Sequence, residues 1–195
     1  MMFIQNEKDI IALVQNDKWM MDLLTCAKSL DLPDWWICAG FVRSKIWDVL
    51  HGFDERTSLP DIDVIYYDQS SIQERIEKNH EEALNRLLST VPAWSVKNQA
   101  RMHIANGISP YSSSVDAIGK FPETATALGV KLDERNNVIL TAPHGIQDVV
   151  NLIVKPTPYF LESKDRMLIY EKRVRDKKWR VKWNNVEVMD LGPII

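Results

Sequence analysis

Trp35-Trp36-Ile37-Cys38-Ala39-Gly40-Phe41-Val42-Arg43 and, after a polar stretch over 51–60, Asp61-Ile62-Asp63-Val64-Ile65 decide how this chain folds. The first stretch opens with a short apolar run bounded by Pro33 and Gly40, which reads as a buried strand. Apolar residues at 42, 46, 49 and 50 then keep the spacing of a helix that begins just after Gly40. Residues 62–67, rich in β-branched and aromatic side chains, form a second strand. Side chains alternate along a strand, so Asp61 and Asp63 project from one face while Ile62 and Val64 project from the other.

Two carboxylates side by side repel, and a cation, a shared proton or solvent relieves them. Hard cations such as Mg2+ accept carboxylate oxygens, keep several waters and take further ligands from phosphates, and a pair so placed can hold two ions for an in-line displacement. Asp61 and Asp63 are therefore the candidate catalytic and metal-ligating residues. Gly40, between strand and helix, lets the backbone approach a phosphate, and the free amides of a helix N-terminus attract anions. That makes Gly40 and Phe41 candidate nucleotide-binding positions, with Arg43 in the first turn as a bidentate partner for a triphosphate. An acid-x-acid triplet alone is weak, since Glu7-Lys8-Asp9 is another. The strand-Gly-helix unit upstream gives this one its meaning.

Outward from this centre, Asp9 to Ser29 carries apolar residues at helical spacing and reads as one amphipathic helix. Ser71-x-x-Glu74 has the form of a capping box opening a charged helix to about Leu88. Trp94 to Val96 is a third strand. The donors and acceptors of Lys97-Asn98-Gln99-Ala100-Arg101-Met102-His103 follow it, at a strand end of the kind that binds ligands. Lys97, Asn98 and Arg101 are thus further nucleotide-binding candidates. Residues 127–132 and 138–141 form a hairpin around Asp133-Glu134-Arg135-Asn136-Asn137, and 145–154 reads as helical. Strands alternating with helices, plus a hairpin, predict an α/β (α+β) fold, a mixed sheet with helices packed on it.

The 195 residues suffice for one domain over 1–195, and 45% hydrophobic with 26% charged residues excludes disordered and fibrous classes. No stretch is apolar enough for a bilayer, and Met1 to Lys18 lacks the apolar block of a signal peptide, which points to the cytoplasm. Cys26 and Cys38 have no partner at metal-ligand spacing and read as buried core thiols. Between Glu171 and Lys182, seven Lys or Arg face two acids, a local net charge of +5 that leaves −8 for the rest of a chain whose total is −3. Trp179 and Trp183 lie in or beside this basic segment, 171–183, and interleaved basic and aromatic residues suit single-stranded nucleic acid, against the alternative of a solvated closing helix or strand.

Ala39-Gly40-Phe41-Val42-Arg43, Leu50-His51-Gly52 and Asp61-Ile62-Asp63-Val64 resemble the head-domain signature of the DNA polymerase β type nucleotidyltransferase superfamily, in particular that of tRNA CCA-adding enzymes. Over nearly its full length the chain is similar to a bacterial nucleotidyltransferase-like family, sharing those blocks, residues 94–103, Pro122-Glu123-Thr124-Ala125-Thr126 and Ala142-Pro143-His144-Gly145-Ile146. The resemblance implies a nucleotidyltransferase fold, an NTP donor and Mg2+ or Mn2+. It also has departures: Ala39 stands where paired glycines are common, and Ser44 where CCA-adding enzymes carry an acid. The strand after the aspartates offers no third carboxylate, leaving Asp116, Asp133 and Asp148 as candidates. The expected activity is nucleotidyl transfer to an acceptor hydroxyl. The alternatives are an inactive nucleotide-binding module of the same fold and a nucleic-acid binder acting through the basic segment. A chain of this length has room for the catalytic head and little else, which favours a small-molecule or protein acceptor over tRNA.

Overall fold

The computed structural model describes residues 4–89 and 92–189, so the two ends of the expected domain and residues 90–91 lie outside the described residues. Two side chains explain why the N-terminal stretch is two helices rather than one. Asn6 caps α1 (Glu7–Gln15), with Asp9 reaching back to the Asn6 amide, and Asp17 caps α2 (Lys18–Lys28) by accepting from the Met20 amide at 3.1 Å. An Asp that satisfies the amides of a new helix ends the previous one, so the helix expected over Asp9 to Ser29 is broken at Asn16–Asp17.

Beyond Pro33 come β1 (Trp36–Cys38), α3 (Gly40–Leu50), β2 (Asp61–Tyr66), α4 (Glu74–Leu87), β3 (Ala93–Asn98) and α5 (Gln99–Asn106). The capping box expected at Ser71 is not formed. The N-cap of α4 is Gln73, without a side-chain hydrogen bond, and the Ser71 carbonyl accepts from Asn98 Nδ2 at 2.9 Å. Residues 97–103 form the end of β3 and the first turns of α5, with Asn98 capping α5 by accepting from the Ala100 amide. Next are α6 (Ser114–Gly119), a 3-10 turn (Thr124–Thr126), and the expected hairpin as β4 (Gly129–Leu132) and β5 (Val138–Thr141). The helix expected over 145–154 shrinks to one turn, α7 (Gln147–Val150), because Leu152 takes a left-handed conformation (φ 61°) and turns the chain into β6 (Ile153–Val154). The chain closes with α8 (Pro158–Leu161), α9 (Lys164–Lys177), α10 (Trp179–Lys182) and β7 (Glu187–Val188), which pairs in parallel with β6.

The main sheet has the order β3-β2-β1-β4-β5 and is mixed: β2 and β3 are parallel, the other pairs antiparallel. One face contributes Ile37, Ile62, Val64, Tyr66, Trp94, Val96 and Val130 to the main core, which also takes the apolar sides of α1, α2 and α3 and Leu84 of α4. The other face buries Trp36, Cys38 and Ile65 against Ile118 of α6 and Ala127. Period-two alternation puts Asp61 and Asp63 on this second face.

The closing segment is fastened to the core rather than held out for a polymer. Trp179 and Trp183 are buried, with ring centroids 6.2 and 5.1 Å from Trp47, and Trp183 Nε1 donates to the buried Asp48 at 2.8 Å. Those two tryptophans are therefore unavailable to stack on bases, because their ring area is spent on the core. Cys38 is a buried thiol as expected, whereas Cys26 is only half-buried. No helix among the described residues is long and apolar enough to cross a membrane.

Candidate active site

The register of β1 against β2 builds the site. Ile37 pairs with Val64 and the strands are antiparallel, so the end of β1, where the chain passes through Ala39 and Gly40 into α3, lies beside the start of β2, where Asp61 and Asp63 stand. Ala39 is the N-cap of α3 and holds φ 55°, ψ −117°, a conformation an L-residue adopts only when its surroundings impose it. Its amide donates to the Leu128 carbonyl at 3.1 Å, which fixes the turn from the neighbouring strand. No side chain caps α3, so its first amides at Gly40 and Phe41 keep their affinity for an anion. Gly40 stands directly over Arg43: a Cβ built there would lie in van der Waals contact with Arg43 Nη2, at 3.6 Å.

Asp63 is the most perturbed acid of this group. Burial in the first place, and then the neighbouring Asp61, push its carboxyl up to about 6, while Ser95, Lys177 and Arg173 act in the opposite direction. Ser95 is its register partner on β3, so the neighbouring strand sets a hydroxyl and not an acid beside it. Among the described residues no group of three His, Cys, Asp or Glu side chains converges to hold a metal ion. Two carboxylates on one face, one of them held above its ordinary range by burial and then by its twin, still form a donor set suited to a hard divalent cation whose other ligands are water and phosphate. The three acids considered as substitutes are engaged elsewhere: Asp116 with Lys120 at 2.9 Å, Asp148 with Lys155 at 3.0 Å, and Asp133 with the Arg135 and Asn137 amides of its own turn at 2.9 and 2.7 Å.

Arg43 departs from its expected part. It is 8% exposed, its Cζ lies 5.0 to 5.5 Å from the ring centroids of Trp47, Trp179 and Trp183, and Nη2 donates to Ser44 Oγ at 3.0 Å. Desolvation brings its pKa down to about 10, with Glu123 the strongest opposing charge, so it remains a cation at neutral pH. Buried among three indoles, the guanidinium keeps little free surface and places positive charge under the start of α3.

Lys97, Asn98 and Arg101 also serve another end. Lys97 follows Ser95 on the same face of β3, but its ammonium turns to the sheet edge, 3.4 Å from Glu81 and 3.7 Å from Glu77. Arg101 grips Glu77 through Nε at 2.9 Å and Nη2 at 2.8 Å, and the same fully buried carboxylate accepts from the Asn98 amide at 3.0 Å. These three residues close the edge of β3 against α4, and the site proposed below does not use them.

Sequence reasoning missed Glu123 and Arg173. Glu123 is fully buried, accepts from Thr126 Oγ1 at 2.7 Å and takes Arg173 Nε at 2.8 Å and Nη2 at 3.3 Å. The pair ties α9 to the interior beside Arg43, and Arg173 lies near enough to Asp63 for the two charges to stabilise each other. The Pro122-to-Thr126 block was the available signal, a lone acid among small and rigid residues that only a buried cation would neutralise.

Comparison with known proteins follows the same lines. A family model described as Nucleotidyltransferase matches residues 25–188. An NMR structure described as revealing a CCA-adding enzyme head domain is 36% identical, with a TM-score of 0.84 over 96% of this chain and 97% of that one. A Thermotoga maritima CCA-adding enzyme complexed with tRNA is 15% identical, with a TM-score of 0.54 over 98% of this chain and 44% of its own. A CCA-adding enzyme in complex with CTP is 13% identical, with a TM-score of 0.54 over 97% and 44%. The chain thus spans less than half the length of these two enzymes, with which it shares the fold. No curated protein matches.

Proposed function

The chain belongs to the nucleotidyltransferase family, and from that premise we propose that it transfers a nucleotidyl group from an NTP to an acceptor hydroxyl, with Asp61 and Asp63 holding Mg2+ or Mn2+ and the start of α3 receiving the phosphates. The observation that carries this reading is the β1–β2 register, which sets uncapped helix amides beside an acid pair that, among the described residues, no third acid, His or Cys joins as a metal set. Related structures described with CTP and with ATP support an NTP as the donor.

In the reaction the acceptor oxygen bonds to the α-phosphorus, the bond from that phosphorus to the oxygen bridging to the β-phosphorus breaks, and pyrophosphate leaves with the electron pair. The hydroxyl proton passes to water. The Gly40 and Phe41 amides orient the anion, and the Arg43 charge beneath them deepens the positive potential without touching it. Asp61 and Asp63 face the same side of the sheet and hold the divalent ions against the phosphates. When bound, those ions polarise the phosphoryl oxygens and ease ionisation of the attacking hydroxyl. Ser95 supports the ionised form of Asp63, the form that ligates.

Isothermal titration with each NTP in the presence of Mg2+ tests the reading. Binding that requires Mg2+ and disappears in Asp61→Asn and Asp63→Asn is expected; no binding by any NTP, or binding indifferent to both substitutions, refutes it. Ser95 in place of an acid favours a second reading, a nucleotide-binding module without transfer, which binds Mg2+-NTP equally well yet releases no pyrophosphate with any acceptor.

A further inference from the structure

The basic closing segment has two faces with different fates. The ion pairs of α9 run Arg166–Glu162, Lys172–Asp176 and Arg175–Glu171 along the helix surface, and Arg173–Glu123 into the interior. Lys172 and Arg175 are 72% and 68% exposed and pair with acids of their own helix, so they form a solvated face. Arg173 is anchored instead by a carboxylate with no exposure at all, which engages Nε and Nη2 and leaves Nη1 without a hydrogen bond among the described residues. Lys177 stands four residues further on, one helical turn along the same face, is exposed and takes part in none of these pairs. Trp179, two residues after Lys177, has its ring centroid 5.4 Å from Arg43 Cζ, and Arg43 Nη2 lies next to Gly40, so the end of α9 stands beside the start of α3, where both cations also act on Asp63. The cation that the sequence offers for the phosphates, Arg43, is meanwhile walled off by three tryptophans, two of which come from the residues directly after α9.

We infer that Arg173 and Lys177 of α9 bind the β- and γ-phosphates of the donor nucleotide, and thus the departing pyrophosphate. The inference rests on the nucleotidyl-transfer reading. The burial of Trp179 and Trp183 fixes α9 where it lies, so one structural event removes Arg43 from the phosphates and delivers two other cations to them. Arg173 is held at a set position by Glu123 and supplies a pre-oriented guanidinium edge, while Lys177, on a flexible stem, follows the charge that builds up as pyrophosphate departs.

The test is calorimetric titration of Mg2+-ATP, Mg2+-pyrophosphate and AMP into the full chain, its Lys177→Ala and Lys172→Ala variants, and Asp63→Asn. Lys177 is exposed, so its removal leaves the fold intact, and Lys172→Ala controls for general loss of positive charge. Loss of a charge-assisted contact predicts that Lys177→Ala weakens Mg2+-ATP and Mg2+-pyrophosphate about tenfold, leaves AMP unchanged, and that Lys172→Ala changes none of them. Arg173→Lys keeps a cation opposite Glu123 and is expected to fall between the wild type and Lys177→Ala. Mg2+-ATP binding that is lost in Asp63→Asn but equal in the wild type and Lys177→Ala overturns the inference and leaves the transfer reading standing. Equal losses in Lys177→Ala and Lys172→Ala overturn it as well. A wild type that binds none of the three ligands overturns both.

Discussion

The two ends of the parallel pair β2–β3 carry charged clusters of opposite design. At the far end Glu77 is fully buried and fully answered, by two nitrogens of Arg101, the Asn98 amide and the nearby Lys97. At the near end Asp61 and Asp63 share a face with no comparable partner among the described residues, and burial with mutual repulsion raises Asp63 to about 6. The far end holds the fold together by satisfying every charge it buries. The near end keeps an electrostatic debt that an external cation and an anionic ligand would discharge. The charge-rich segment Lys97 to His103 drew attention in the sequence because of its many donors, yet its richness is what allows it to be closed.

The largest blow to this contrast would come from the closed end. Glu77→Ala strands Arg101 and the Asn98 amide, and such a break in a buried ion pair costs about 3–5 kcal/mol. Chemical denaturation should show that loss, while Mg2+-ATP affinity of the protein still folded stays at the wild-type value. A fall in affinity without a loss of stability would mean that the closed end belongs to the site.

The open end should respond in the opposite sense. Asp63 has a folded pKa near 6 against 3.8 ordinarily, so the folded state holds the proton longer than the unfolded state does. Its contribution is therefore most favourable below 3.8, declines as pH rises to about 6, and above that is a full penalty of about 3 kcal/mol. Asp63→Asn should accordingly stabilise the metal-free protein by up to about 3 kcal/mol at pH 8 and hardly at all at pH 3.5, read as the difference from wild type in parallel melts. Destabilisation at pH 8 would show that Asp63 is as well answered as Glu77.

Smaller effects test the margins. Ala39→Gly relieves a positive φ at the turn and should stabilise the fold by about 1 kcal/mol, net of the extra freedom glycine gains when unfolded, with Mg2+-ATP binding retained. Lys97→Ala removes a half-exposed partner at the closed end, so less than about 1 kcal/mol is expected, with no change in nucleotide affinity.

What the sequence made legible follows the same division. The strand-Gly-helix turn and the acid pair obey local rules, and period-two alternation alone put Asp61 and Asp63 together. The mixed sheet and the hairpin were readable from apolar runs and turn residues. Asp17 hid the break between α1 and α2, since capping and mid-helix aspartates look alike until the chain is seen to bend. The fate of Arg43 was out of reach, because it depends on tryptophans 136 and 140 residues away that close over α3 only in the folded chain. Glu123 and Arg173 are 50 residues apart, and nothing in their spacing announces the pair.

Mn2+ in place of Mg2+ offers the most direct test of the claim that the open end is the metal and nucleotide site. In amide spectra of isotopically labelled protein with ATP, paramagnetic broadening should erase the signals of Gly40, Phe41, Asp61, Ile62, Asp63 and Ser95 first, and spare those of Glu77, Asn98 and Arg101. Broadening centred on the Glu77 cluster, or none at these positions while Mn2+-ATP is demonstrably bound, would contradict it.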